Sequence, residues 1–197
     1  MQIRLATAAD AARVRDIYGP LIETTAISFE LVVPSEDEMA ARIAGRQPAH
    51  PWLVAEGDDG RGVVGYAYAG RFSGRAAYDW SVETSVYLAE AARGRGVGRS
   101  LYAALLAVLA AQGYRQAMGG IALPNAASVR LHEGAGFSLV GVYRAVGWKF
   151  GTWHDVGWWQ RPLARSDGPP HPPIPLTELA PTTLTACLAA PRAADTT

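Results

Sequence analysis

The chain has a single cysteine, Cys187, among 197 residues. One thiol cannot close an intrachain disulfide and cannot furnish a cysteine-based metal site. Neither sign of charge is in excess, with 18 basic residues against 18 acidic ones. Nucleic-acid binders usually carry a basic excess or stripe, so that class of partner is not expected; a local basic pocket is still compatible with a zero balance. Long hydrophobic runs are also missing. The longest, Leu101 to Ala111, is too short to cross a bilayer. The opening Met1-Gln2-Ile3-Arg4-Leu5 enters a strand pattern at once, without the apolar stretch of a secretory signal. The expectation is a soluble cytoplasmic protein with no membrane and no nucleic-acid partner.

What is present is a globular composition, 49% hydrophobic and 18% charged, at a length that suits one domain with a tail. Ile3 and Leu5 alternate with polar neighbours. Thr7-Ala8-Ala9-Asp10 has the form of a capping box, and Val14, Ile17, Tyr18 and Leu21 follow at helical spacing. Pro34-Ser35-Glu36-Asp37-Glu38 starts a second helix, with Met39 and Ile43 on its buried side. Strand patterns cover 52–56, 63–69 and 78–88, and Gly57-Asp58-Asp59-Gly60 reads as the turn between the first two. A glycine-rich segment leads into a helix with Leu101, Leu105, Val108 and Leu109 on its apolar stripe. Then come a strand over 115–123, a helix capped by Asn125, and strands over 137–146 and 154–163. Seven of the thirteen prolines lie at 169 or later. Residues 1–163 therefore read as the domain, and 164–197 as a Pro-rich tail, partly extended against it and partly disordered.

The glycine-rich segment, Arg93-Gly94-Arg95-Gly96-Val97-Gly98-Arg99, carries the strongest chemical signal. Its spacing fits neither the dinucleotide fingerprint nor a P-loop. A tight loop that opens a helix presents unpaired N–H groups and the positive end of the helix dipole, which together suit a phosphate. A plain glycine-rich turn with solvated arginines is the alternative from the loop alone.

With its surroundings the segment is more specific. Arg-x-x-Gly-x-Gly at 93–98, placed after Ser85-Val86-Tyr87-Leu88, resembles the pyrophosphate loop of the GNAT acetyltransferase family. Leu123-Pro124-Asn125 and Ser128-Val129-Arg130-Leu131-His132-Glu133 add to the match. Pro51 to Glu56, Tyr78-Asp79-Trp80 and Trp153 to Gly157 resemble the phosphinothricin N-acetyltransferase branch. The resemblance covers about 3–163 and continues weakly through 175–179.

The resemblance implies the GNAT α/β fold: a mixed, mostly antiparallel sheet flanked by helices, splayed between its fourth and fifth strands. It implies acetyl-CoA as co-substrate, with no metal, and the primary amine of a small amino-acid-like acceptor such as phosphinothricin or methionine sulfoximine. The pantetheine arm would bond the backbone of Val86, Tyr87 and Leu88, and Arg93, Gly94, Arg95, Gly96, Val97, Gly98 and Arg99 would hold the pyrophosphate. Asn125 and, less centrally, Ser128 are further cofactor candidates, and the Val86 N–H is the expected oxyanion donor.

Glu83 is the candidate general base, because an ammonium must lose a proton before attacking a thioester. His132 is the second catalytic candidate, as acid to the leaving thiolate or as a helper of Glu83. Phe29, Arg71, Arg75, Tyr78 and Trp80 are the expected acceptor rim, an arginine fork being suited to a carboxylate or phosphinate. The loop Gly70-Arg71-Phe72-Ser73-Gly74-Arg75 departs from the branch at Arg71 and Ser73, which leaves the acceptor open. Trp148, Trp153, Trp158 and Trp159 read as core or interface. By resemblance a homodimer through this C-terminal region is expected. A broad L-amino-acid N-acetyltransferase and a non-catalytic acetyl-CoA-binding module are the competing readings.

Overall fold

A computed structural model describes residues 1–58, 60, 62–164 and 168–189 of the chain. Seven strands form one sheet: β1 (Gln2–Leu5), β2 (Trp52–Glu56), β3 (Val63–Arg71), β4 (Ser81–Leu88), β5 (Gln116–Leu123), β6 (Ser138–Lys149) and β7 (Thr152–Pro162). Their order is β1-β2-β3-β4-β5-β7-β6, and every pairing is antiparallel except β4 with β5. The helices are α1 (Ala11–Thr24), α2 (Glu36–Arg46), α3 (Val97–Gln112), α4 (Ala126–Gly134) and α5 (Pro181–Leu188). This is the splayed, mostly antiparallel α/β arrangement that the sequence led us to expect.

The central strands are covered on both faces, so they read as apolar runs rather than alternating ones. Leu53, Ala55, Ala67, Ala69, Val82 and Ala117 pack against Leu101, Leu105 and Leu109 of α3. On the other face Trp52, Val54 and Tyr66 pack with Val14, Ile17, Leu21, Met39 and Ile43 of α1 and α2. Both helix-start signals are used. Asp10 accepts from the Thr7 N–H at 2.7 Å, and Ser35 and Glu38 satisfy each other's backbone N–H at 3.1 and 2.7 Å.

Two features differ from the sequence reading. Tyr78 and Trp80 precede the strand: Ala76–Tyr78 is a 3₁₀ turn and β4 begins at Ser81. The chain after 173 also adds structure, a 3₁₀ turn at Leu176–Glu178 and helix α5. Leu176 and Leu179 are buried against Val108, with Leu5, Leu184, Cys187 and Leu188 around them. Helix α3 is thus clamped between sheet and tail, which is why its apolar surface runs nearly all round. The expectations for 165–167 and 190–197 fall outside the described residues.

Candidate active site

The parallel pairing of β4 and β5 is short. Ser81, Val82 and Glu83 face Gln116, Ala117 and Met118, and the register ends there. At the next position the Thr84 hydroxyl donates to the Met118 carbonyl at 3.0 Å, closing the fork where the strands part. Beyond it lies a solvent-open cleft. Thr84, Ser85, Val86 and Tyr87 line one side, Gly120, Ile121 and Ala122 the other, with Asn125, Ser128 and His132 of α4, and Ile27, completing it.

Side chains alternate across β4. Val82, Val86 and Leu88 belong to the α3 side. Glu83 shares the opposite face with Ser85 and Tyr87, and Tyr87 packs on Tyr18 and Tyr66 with ring centroids 5.0 and 5.3 Å apart. Glu83 is half-buried, and burial pushes its carboxyl up from the ordinary range; the positive charge of Arg46 partly opposes this.

His132 is buried at 4% exposure. Its Nδ1 lies 2.8 Å from the Ser128 carbonyl, and its Nε2 lies 2.8 Å from the Tyr102 hydroxyl. A carbonyl only accepts, so the tautomer that satisfies both contacts carries its proton on Nδ1 and accepts from Tyr102 at Nε2. Burial lowers the imidazole pKa, with the Ser128 carbonyl opposing. The ring lies so close to β5 that a Cβ on Gly119 would stand 2.7 Å from it. Tyr102 is a residue the sequence reading missed. It sits on the α3 stripe like any core aromatic, and only Gly119, a glycine inside a strand, hinted that a ring must approach there.

The glycine loop lies at the far end of β4. Gly94 and Gly96 adopt φ of 71° and 79°, left-handed values that favour glycine. Gly98 serves closeness instead: a Cβ there would meet Leu131 of α4 at 3.1 Å and Leu88 at 3.4 Å. Helix α3 starts with no side-chain cap at Gly96, so its first N–H groups have no side-chain acceptor. Arg93, Arg95 and Arg99 are exposed around it, and Val97 is buried. The residues fit a pyrophosphate: backbone donors, a helix dipole and three cations in one place. Asn125 caps α4 by accepting from the Ser128 N–H at 3.1 Å while lining the cleft.

Of the expected acceptor rim, Arg71 ends β3, Arg75, Tyr78 and Trp80 lie between β3 and β4, and Phe29 lies between α1 and α2. Arg71 is paired with Asp79 at 2.7 Å. Arg75 is exposed in the loop before the 3₁₀ turn, and Tyr78 packs edge-on against Phe72. Trp80 donates its indole N–H to the His171 carbonyl at 2.8 Å, so it anchors the tail. Phe29 packs on the β6–β7 hairpin, where its ring fills the side-chain space of Gly147 and approaches His154. Its loop is held by Lys149, whose Nζ donates to the carbonyls of Ile22, Ser28 and Glu30 at 2.7–2.9 Å. Among the described residues no group of three metal-ligating side chains occurs, and no helix is long and apolar enough to cross a membrane.

Comparison with known proteins agrees with this geometry. The acetyltransferase (GNAT) domain model matches residues 3–158. A phosphinothricin N-acetyltransferase of Streptomyces viridochromogenes is 44% identical over 91% of this chain and 96% of its own length. An L-methionine sulfoximine/L-methionine sulfone acetyltransferase of Salmonella typhimurium is 34% identical over 86% of this chain and 98% of its own. The crystal structure of a phosphinothricin acetyltransferase from Sinorhizobium meliloti, in complex with AcCoA, superposes with a TM-score of 0.80 at 38% identity, covering 86% of this chain and 92% of that one.

Proposed function

Because the chain belongs to the GNAT acetyltransferase family and is an acyltransferase, we propose that it transfers acetyl from acetyl-CoA to the primary amine of a small amino-acid-like acceptor. The observation that carries this reading is the fork at Glu83 and Thr84. It opens a cleft beside a half-buried carboxylate and runs toward an uncapped helix start ringed by arginines. Phosphinothricin, methionine sulfoximine and methionine sulfone are the acceptors to examine first, since the relatives are named for them.

In this reading acetyl-CoA supplies the thioester, and the chain supplies orientation and proton transfer. Arg93 to Arg99 and the α3 N-terminus bind the pyrophosphate. The free edge of β4 at Val86 and Leu88, on either side of Tyr87, bonds the pantetheine amides, because strand groups without a neighbour need partners. Glu83 takes a proton from the acceptor ammonium, and the amine nitrogen attacks the carbonyl directly. The Val86 N–H receives the developing negative charge on oxygen. As the C–S bond breaks, the proton that the attacking nitrogen sheds on becoming an amide is taken up by the departing thiolate, and the His132–Tyr102 pair beside the cleft is the hydrogen-bond system assigned to this transfer. A thiol-linked acyl-enzyme has no support, since Cys187 lies in α5 against the tail cluster. Such chemistry accords with the cytoplasmic location expected from the sequence. The exposed apolar surface of β6 and β7 supports the expected pairing with a second copy of the chain.

The test is release of free thiol from acetyl-CoA with a panel of phosphinothricin, methionine sulfoximine, methionine sulfone and common amino acids. The expected result is at least one acceptor with kcat/KM of about 10⁴ M⁻¹s⁻¹ or more. Tight acetyl-CoA binding with no thiol release on any amine would favour a binding module instead.

A further inference from the structure

Most arginines on the acceptor side of the sheet are engaged. Arg42 grips both oxygens of Glu30 at 2.8 and 3.0 Å, and Arg71 holds Asp79 at 2.7 Å. Arg46, the last residue of α2, is different. Its guanidinium is half-buried and lies over the rings of Tyr68 at 4.7 Å and Trp52 at 5.9 Å. Among the described residues it has no carboxylate partner and no hydrogen-bond acceptor. Stacking on aromatic faces leaves the in-plane N–H donors of a guanidinium free to bind something else.

Its position is defined by a glycine. A Cβ on Gly70 would lie 2.3 Å from Arg46 Nη1, so this nitrogen occupies the side-chain space of Gly70. Gly70 is the direct cross-strand partner of Glu83. Opposed residues of an antiparallel pair project to the same face, with Cβ positions about 4.5–5.5 Å apart. The guanidinium fork therefore stands beside Glu83 on one face of the sheet, at the point where β4 and β5 part. Its charge is felt by Glu83, whose upward shift from burial it opposes.

We propose that Arg46 is the anion anchor of the acceptor site, binding the α-carboxylate of an amino acid whose amine is presented to Glu83. In an α-amino acid the carboxylate and the amine sit on one carbon, so a fork adjacent to the base receives the first while the base receives the second. A planar bidentate contact suits a guanidinium better than an ammonium. This assigns the carboxylate to a residue outside the 70–80 loop, where Arg71 is already paired. It also gives Gly70 a reason: any side chain there would displace the fork. The inference rests on the acetyltransferase reading and narrows its acceptor to amines that carry an adjacent carboxylate.

The experiment compares L-methionine sulfone with the amine that remains when its carboxyl is removed, using the full-length parent, Arg46→Met and Arg46→Lys. Methionine keeps an apolar stem over Tyr68, and an unchanged melting temperature and KM for acetyl-CoA establish that the fold and the donor site persist. The parent should prefer the amino acid over the decarboxylated amine by about 10–100-fold in kcat/KM, the range of one charge-assisted contact. Arg46→Met should erase that preference through a raised KM for the amino acid, and Arg46→Lys should restore part of it. A preference that survives in Arg46→Met, or an equal loss for both acceptors, overturns the proposal. If the parent acetylates neither compound, it is the acetyl-transfer reading that fails. Calorimetric binding of L-methionine sulfone to the CoA-saturated parent and Arg46→Met then still decides the anchor: equal affinities overturn it, and weaker binding by the variant upholds it.

Discussion

Glu83 and His132 are both shifted by burial, but in opposite directions. A carboxyl loses its charged form on desolvation and its pKa rises; an imidazolium loses its charged form and its pKa falls. Both groups thus move from their ordinary values toward each other. The position of an acid limb in a pH–rate profile cannot by itself say which of them is the base, but variants can. With Glu83 as base, kcat rises with pH as its carboxyl ionises, above the ordinary carboxylate range. The limb should vanish in Glu83→Gln and survive in His132→Phe. Loss of the limb in His132→Phe alone would move the base role to the imidazole. Both candidates were legible in the sequence, because their neighbours carry a family pattern. Arg46 and Tyr102 were not. Each looks locally like an ordinary helix residue, and only the pairing of Gly70 with Glu83 and the closeness of His132 to Gly119 give them a place.

At the scale of elements, the loop between α1 and α2 forms one wall of the acceptor side, and its order depends on a distant strand. Lys149 is 4% exposed and satisfies three carbonyls from Ile22 to Glu30. Burial lowers its pKa, with Glu30 opposing. Lys149→Met removes the donor and leaves those carbonyls without it. The expected loss is about 2–4 kcal/mol, or about 5–15 °C in melting temperature for a chain of this size. An unchanged thermal transition would show that water replaces the ammonium without cost. The strands and first four helices were legible because their signals are local: caps, apolar periods and turn residues. Helix α5 was not. Its apolar face has meaning only against Val108, Leu176 and Leu179, and the proline-rich stretch before it argued for an extended tail.

Across the whole molecule the sheet ends in an unusual edge. Among the described residues, strand β6 has no neighbour beyond it. Leu139, Val140, Tyr143, Val146, Trp148, Phe150 and Trp153 of the β6–β7 hairpin are all more than half exposed. Trp148 and Trp153 pack edge to face with centroids 5.2 Å apart. Contiguous exposed apolar surface of this kind usually marks an interface, and an open edge strand is a template for pairing. A second copy of the chain is the proposed occupant. Light scattering coupled to size-exclusion chromatography should give twice the chain mass for the parent and a lower mass for Trp153→Asp. A parent that stays monomeric at all concentrations tested would remove the dimer. Trp159, next to the half-buried Trp158, is 4% exposed in the core, while Trp148 and Trp153 are exposed, so the tryptophans divide between core and surface.

The central claim is that a carboxylate at the fork of β4 and β5 deprotonates the acceptor. It is tested most directly by steady-state thiol release from acetyl-CoA by the parent and Glu83→Gln, on whichever amine the parent acetylates fastest, with acetyl-CoA binding and thermal unfolding measured on both. The account predicts a fall in kcat of about 10²–10⁴-fold in the variant, with donor binding and fold retained. Turnover by Glu83→Gln comparable with the parent would contradict it.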